Sequence, residues 1–137
     1  MIRLLEEIHM KFTISEAAKK MNITTHTIRY YDKEGLLPFV ERTKSGIRYF
    51  SENDLEGLAL INCLKSTGMP IKEIKLFVDW VVEGDSTLKE RYDMFVERRE
   101  SVLRQISELQ KALERIDYKC WYYKTAFDAG TEKIHDK

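Results

Sequence analysis

From Leu88 onward the apolar residues return in alternating steps of four and three. They are Leu88, Tyr92, Phe95, Val102, Ile106, Leu109, Leu113, Ile116, Cys120, Tyr123 and Phe127, with Arg99 as one charged break. That rhythm is the heptad seam of a coiled coil. A helix from Leu88 to Ile116 is roughly 40–45 Å long at the α-helical rise per residue. No other segment of the 137 residues is long enough to cover such a stripe, and a second copy of the chain is the economical cover. Residues 86–119 are therefore expected to form a dimerisation coiled coil, with the seam residues from Leu88 to Ile116 in its interface. A helix folded back on its own domain is the competing arrangement. Residues 120–137 open on "CWYYKTAFDAG" and are read as an aromatic terminal helix or tail that packs on the partner.

The segment ahead of the seam is patterned differently. Thr13 followed by Glu16 is a capping box. Ile14, Ala17, Ala18 and Met21 then repeat at helical spacing, and Asn22 suits a left-handed end. Thr24 and Thr25 are candidate caps for a second short helix, which Gly35 ends. Two short helices joined by a turn of a few residues read as helix-turn-helix. On the second helix Ile28 and Tyr31 point towards the first. His26, Arg29, Tyr30 and Lys33 gather on the opposite face, and Asp32 lies beside the inner one. A solvated polar face is the bland alternative for such a group.

The next stretch, "VERTKSGIRYF" (Val40–Phe50), has β-prone ends around Lys44, Ser45 and Gly46. Gly46 supplies the positive φ of a tight hairpin. Arg42 and Arg48 flank the turn and Lys44 sits at its tip. A basic hairpin directly after a helix-turn-helix is a wing, and helix plus wing together suit a DNA groove and its flanking phosphates. Residues 12–83 are thus expected to form a winged helix-turn-helix domain with two further helices. Ser51 and Asp54 cap the first of these, where Leu55, Leu58, Ala59, Leu60, Ile61, Cys63 and Leu64 lie nearly all round, so burial on several sides is expected. Pro70 opens the other at its first turn, with Ile71, Ile74, Val78, Val81 and Val82 as its stripe. Thr87 with Glu90 is expected to cap the long helix. The whole is mainly α.

Composition excludes more than it assigns. Charged residues are 34% of the chain, as long solvated helices require, and 43% are hydrophobic, enough for one small core. Formal net charge is zero, so the total says nothing about nucleic acid. Residues 1–50 hold nine Lys/Arg against six Asp/Glu, whereas residues 78–137 hold eleven against thirteen, which places the cationic lean at the front. Cys63 and Cys120 make no disulfide framework or CxxC pair. Arg3, Glu6 and Glu7 break up residues 1–11, read as an N-terminal extension rather than a leader. No stretch approaches the roughly 20 apolar residues of a membrane span, and a cytoplasmic protein is expected. His9, His26 and His135 are scattered, with no catalytic triad, metal cluster or phosphate loop around them. Neither an enzyme nor a cofactor is expected.

Three stretches resemble the MerR family of bacterial transcription regulators: "FTISEAAKKMNITTHTIRYYDKEGLL" (Phe12–Leu37), "ERTKSGIRYFSENDLEGL" (Glu41–Leu58) and "STGMPIKEIK" (Ser66–Lys75). The resemblance covers nearly everything after Lys11. It implies a homodimer with an antiparallel coil, bound to double-stranded promoter DNA. It also implies that the regulator bends and untwists an overlong promoter spacer so that RNA polymerase can engage both elements, at a deformation cost of a few kcal/mol. Carried onto this chain, Thr25 and His26 approach base edges and Arg29 and Tyr30 hold phosphates. Arg42, Ser45, Gly46, Arg48 and Tyr49 make the wing's backbone contacts. Thr13, Thr24, Lys33 and Lys44 complete the expected DNA-facing set.

The effector is read from the cysteines. Metal-sensing members of the family pair cysteines after the coil. Here Cys120 has only His135 downstream, a poor set for a soft metal. The "CLKSTGMPIKEI" and "CWYY" contexts are similar to a short subgroup said to respond to aldehydes and other electrophiles through one cysteine. That makes Cys63 the candidate sensor of a stress response, with plain core packing as the other reading. A regulator with a non-covalent effector or none, and a coiled-coil adaptor that binds no DNA, are the alternatives.

Overall fold

The computed structural model describes residues 11–137. The expected extension through residue 10, His9 included, lies outside the described residues. The chain divides into two compact units, one ending at Tyr92 and one spanning Asp93–Lys137.

The first unit is built by local capping. Thr13 accepts from the Glu16 N–H at 3.2 Å while Glu16 accepts from the Thr13 N–H at 3.2 Å, and this opens α1, Ile14–Met21. Asn22, at φ 55°, ends it. Thr24 accepts from the Thr27 N–H at 3.1 Å and opens α2, Thr25–Lys33. Gly35 leaves α2 at φ 78°, a conformation that costs glycine nothing. Strands β1 (Glu41–Arg42) and β2 (Arg48–Tyr49) pair antiparallel, with Glu41 opposite Tyr49 and Arg42 opposite Arg48. Phe12 and Phe50 exchange backbone bonds of 2.7 and 2.8 Å, tying the chain ahead of α1 to the end of the wing. Ser51 and Asp54 form the capping box of α3, Glu52–Ser66, and α4 runs Ile71–Glu83.

The core joins Ala17 and Ala18 of α1, Ile28 and Tyr31 of α2, and Leu36 and Leu37 to Phe50, Leu55, Leu58, Ile61, Leu64, Met69, Ile74, Phe77 and Val78. Three expectations need correction. The all-round burial of α3 is not met, because Ala59 and Cys63 are exposed. One side of α3, with Leu55, Leu58, Ile61 and Leu64, faces the core. Pro70 is the residue before α4 rather than within its first turn, and its carbonyl accepts from Glu73 and Ile74. On α4 the stripe shifts: Phe77 is buried, while Val81 and Val82 are exposed.

A 3-10 turn, Asp85–Thr87, leads into α5, Leu88–Ala129. Thr87 does not accept from Glu90 as a cap would. Its buried hydroxyl turns back towards the carbonyls of Trp80 at 2.6 Å and Gly84 at 2.7 Å. Arg91 adds a bond to the Gly84 carbonyl at 2.8 Å. Both carbonyls also accept backbone bonds, Trp80 from the Gly84 N–H at 3.1 Å and Gly84 from the Thr87 N–H at 3.0 Å, so the two side chains reinforce the end of α4.

In the second unit α5 continues without interruption past residue 119, so the aromatic segment begins as more of the same helix. Gly130, at φ 77°, ends it, and the Thr131 N–H reaches the Ala126 carbonyl at 3.0 Å in the manner of a Schellman closure. A second 3-10 turn, Glu132–His135, folds back on the helix. The His135 ring stacks on Tyr122 at 4.0 Å, with Nε2 2.9 Å from both the Tyr122 carbonyl and the Thr125 hydroxyl. Among the described residues no helix is long and apolar enough to cross a membrane.

Candidate nucleic-acid interface

Helix α2 presents two faces because its apolar residues are three apart. Ile28 and Tyr31 are buried, and the Tyr31 hydroxyl donates to Asn62 Oδ1 of α3 at 3.1 Å. Burial, with a smaller push from neighbouring Tyr30, raises the Tyr31 phenol above its ordinary value. The opposite face carries His26, Arg29, Tyr30 and Lys33, all exposed. Arg29 Nη1 lies 3.4 Å from Thr25 Oγ1, so guanidinium and hydroxyl are presented side by side. Thr13 and Thr24 stand at the starts of α1 and α2, their oxygens already accepting the cap bonds.

The wing is arranged by charge. Its turn is closed by bonds from the Thr43 N–H to the Ile47 carbonyl at 2.8 Å and from the Gly46 N–H to the Thr43 carbonyl at 2.9 Å. Gly46 adopts φ 85° as the sequence requires. Lys44, Ser45 and Gly46 are exposed at the tip and Tyr49 is half-buried. Arg42 and Arg48 are direct cross-strand partners, and like charges placed opposite each other destabilise a strand pair. Asp32 of α2 resolves the conflict. Its Oδ2 accepts from Arg42 Nη2 at 2.6 Å and from Arg48 Nε at 2.6 Å, and it also pairs with Arg48 Nη2. The two expected phosphate-binding arginines are thus gathered on one acidic side chain of the recognition helix.

Asp32 and Asn62 are what reasoning from sequence missed. The signal for Asp32 was present in the hairpin: a turn centred on Ser45 pairs positions 42 and 48, and two facing arginines need an anion. At the base of the wing Lys11 pairs with Glu41, whose carboxyl this contact holds below the usual range.

The cysteines fall elsewhere. Cys63 lies exposed on α3, against the packed alternative within one chain. Cys120 is exposed on α5, and His135 spends Nε2 on the helix rather than on a shared ligand. No group of three or more His, Cys, Asp or Glu able to hold a metal occurs among the described residues.

The surface therefore offers guanidiniums, ammoniums, hydroxyls and two helix N-termini on a recognition helix and its wing, groups that take phosphate oxygens and base edges. Comparisons with known proteins point the same way. The model of MerR HTH family regulatory proteins matches residues 12–79, and a MerR DNA-binding model matches residues 55–118. A helix-turn-helix transcriptional regulator of Haemophilus influenzae is 43% identical over 124 residues, spanning 90% of this chain and 92% of its own. HiNmlR, a MerR family regulator lacking the sensor domain and solved bound to promoter DNA, superposes with a TM-score of 0.86. It is 42% identical over 91% of this chain and 99% of its own. A MerR family regulator from Bacillus thuringiensis is 45% identical, with a TM-score of 0.76 over 81% and 97% of the two chains.

Proposed function

The chain belongs to the MerR family of DNA-binding transcription regulators, and from that premise we propose that it works as a cytoplasmic homodimer on a promoter spacer. One observation carries the DNA reading: the exposed cations of α2 and of the wing belong to one unit, joined through Asp32. Thr25 and His26 take base edges and Arg29 and Tyr30 take phosphates. Thr13, Thr24, Lys33, Lys44, Ser45, Gly46 and Tyr49 fill in the backbone contacts. Paired on two half-sites, the units distort the duplex so that RNA polymerase meets both promoter elements.

The dimer reading rests on the seam of α5. Leu88, Tyr92, Ile106, Leu109, Leu113 and Ile116 are exposed in the single chain. Each Leu or Ile that a second copy covers is worth about 1.5–3 kcal/mol. An antiparallel coil is the arrangement the resemblance implies.

The effector reading assigns Cys63 to a thiol-reactive carbonyl compound. Its thiolate adds to the carbonyl carbon, and the oxygen takes a proton. Exposure on α3 admits the reagent, and strain follows only where the partner copy closes over that face, because packed side chains tolerate added atoms poorly. The test is promoter induction by formaldehyde or methylglyoxal in a Cys63→Ser strain. Loss of induction with intact DNA binding is expected, and full induction removes the assignment. A non-covalent effector is then the next reading.

A further inference from the structure

The single carboxylate that holds both wing arginines does more than neutralise them. We propose that Asp32 is the positioning residue of the DNA interface and that it divides the two arginines into a brace and a phosphate contact. The inference rests on the DNA reading given above.

Asp32 is almost covered, its side chain 10% exposed. A covered carboxylate left without a partner is costly, so at least one guanidinium must remain on it when DNA arrives. The two arginines are not equivalent candidates. Arg48 is 25% exposed and presents both Nε and Nη2 to Oδ2. Arg42 is 51% exposed and touches the same oxygen through Nη2 alone. Arg42 gives up one bond to reach a phosphate, whereas Arg48 gives up two and uncovers more of its surface. Arg48 therefore stays as the brace that sets the wing against α2, and Arg42 exchanges onto the DNA backbone. A wing held this way contributes one arginine contact rather than two, at a distance from α2 fixed by Asp32.

Salt dependence counts such contacts, since each neutralised phosphate adds about 0.9 to the magnitude of the log–log slope, roughly twofold in affinity per doubling of salt. The full chain is titrated with a mixed-sequence DNA duplex over a range of salt, with circular dichroism as the check on folding. Arg42→Ala loses one contact. Arg48→Ala also loses one, because Arg42 then becomes the carboxylate's sole partner. The double variant loses no more than either single one, whereas independent contacts would lose twice as much. Asp32→Asn frees both arginines and steepens the slope by one contact, an effect that a merely structural residue does not produce. A folded Asp32→Asn protein with a slope no steeper than wild type overturns the assignment. So does a double variant with twice the single loss, which decides the matter even where Asp32→Asn fails to fold. A wild-type slope near zero overturns the DNA reading itself and is distinguished by that.

Discussion

In the unit that ends at Tyr92 the apolar side chains build a buried core within the chain, whereas along α5 most of the seam positions are exposed. Ile28, Leu58 and Phe50 are fully buried. Leu109 is 70% exposed and Phe127 83% exposed, although both occupy seam positions of an unbroken helix. The same residue types thus serve two purposes. In the first unit they close a small core, and on α5 they line an exposed face, the one proposed above to meet a second copy. The difference lies in period: a seven-residue repeat on a straight helix gives its stripe no means of folding onto itself.

The largest expected effect tests the α5 side of this contrast. Ile106→Glu with Leu109→Glu places four carboxylates in the seam of a dimer. The dissociation constant should rise on the order of a thousandfold, about 4 kcal/mol. Sedimentation at micromolar protein reads it, and unchanged assembly would reduce the seam to a solvated face. The core side is tested by Ile28→Ala, which should cost about 3 kcal/mol in urea unfolding and leave the oligomeric state alone. A cost below about 1 kcal/mol would erase the contrast by showing a loosely packed first unit.

The smallest effect sharpens the contrast through pH. Burial disfavours the Tyr31 phenolate, so the folded chain holds that proton more tightly than the unfolded chain. The resulting stability is fully present below the ordinary phenol value of 10.0 and is lost as pH rises through the raised one. The wild-type advantage over Tyr31→Phe should therefore shrink in alkaline denaturation series. A gap that stays flat on both sides of that pH sinks the claim.

What the sequence revealed was local. Thr13 with Glu16, Ser51 with Asp54, Thr24 and Asn22 mark helix ends because each acts on backbone three residues away or on its own φ. The hairpin was legible from Gly46 for the same reason. Partners distant along the chain were not. Asp32 meets Arg42 and Arg48 ten and sixteen positions on, and Tyr31 meets Asn62 thirty-one positions on. Thr87 looked like a cap for the helix that follows it, yet its hydroxyl turns to the Trp80 and Gly84 carbonyls at the end of the helix before it. On α4, periodicity could not tell which turn of the stripe the core would reach, so Phe77 was missed and Val81 and Val82 were overstated.

The facing arginines of the wing also impose an order on divergence. A lineage that first replaces Arg42 keeps a satisfied pair between Asp32 and Arg48. A lineage that first replaces Asp32 is left with two cations confronting each other across a strand pair only two residues long on each side. Descendants are thereby steered to shed an arginine before the carboxylate, and a relative with a neutral residue at position 32 should keep no more than one cation at positions 42 and 48.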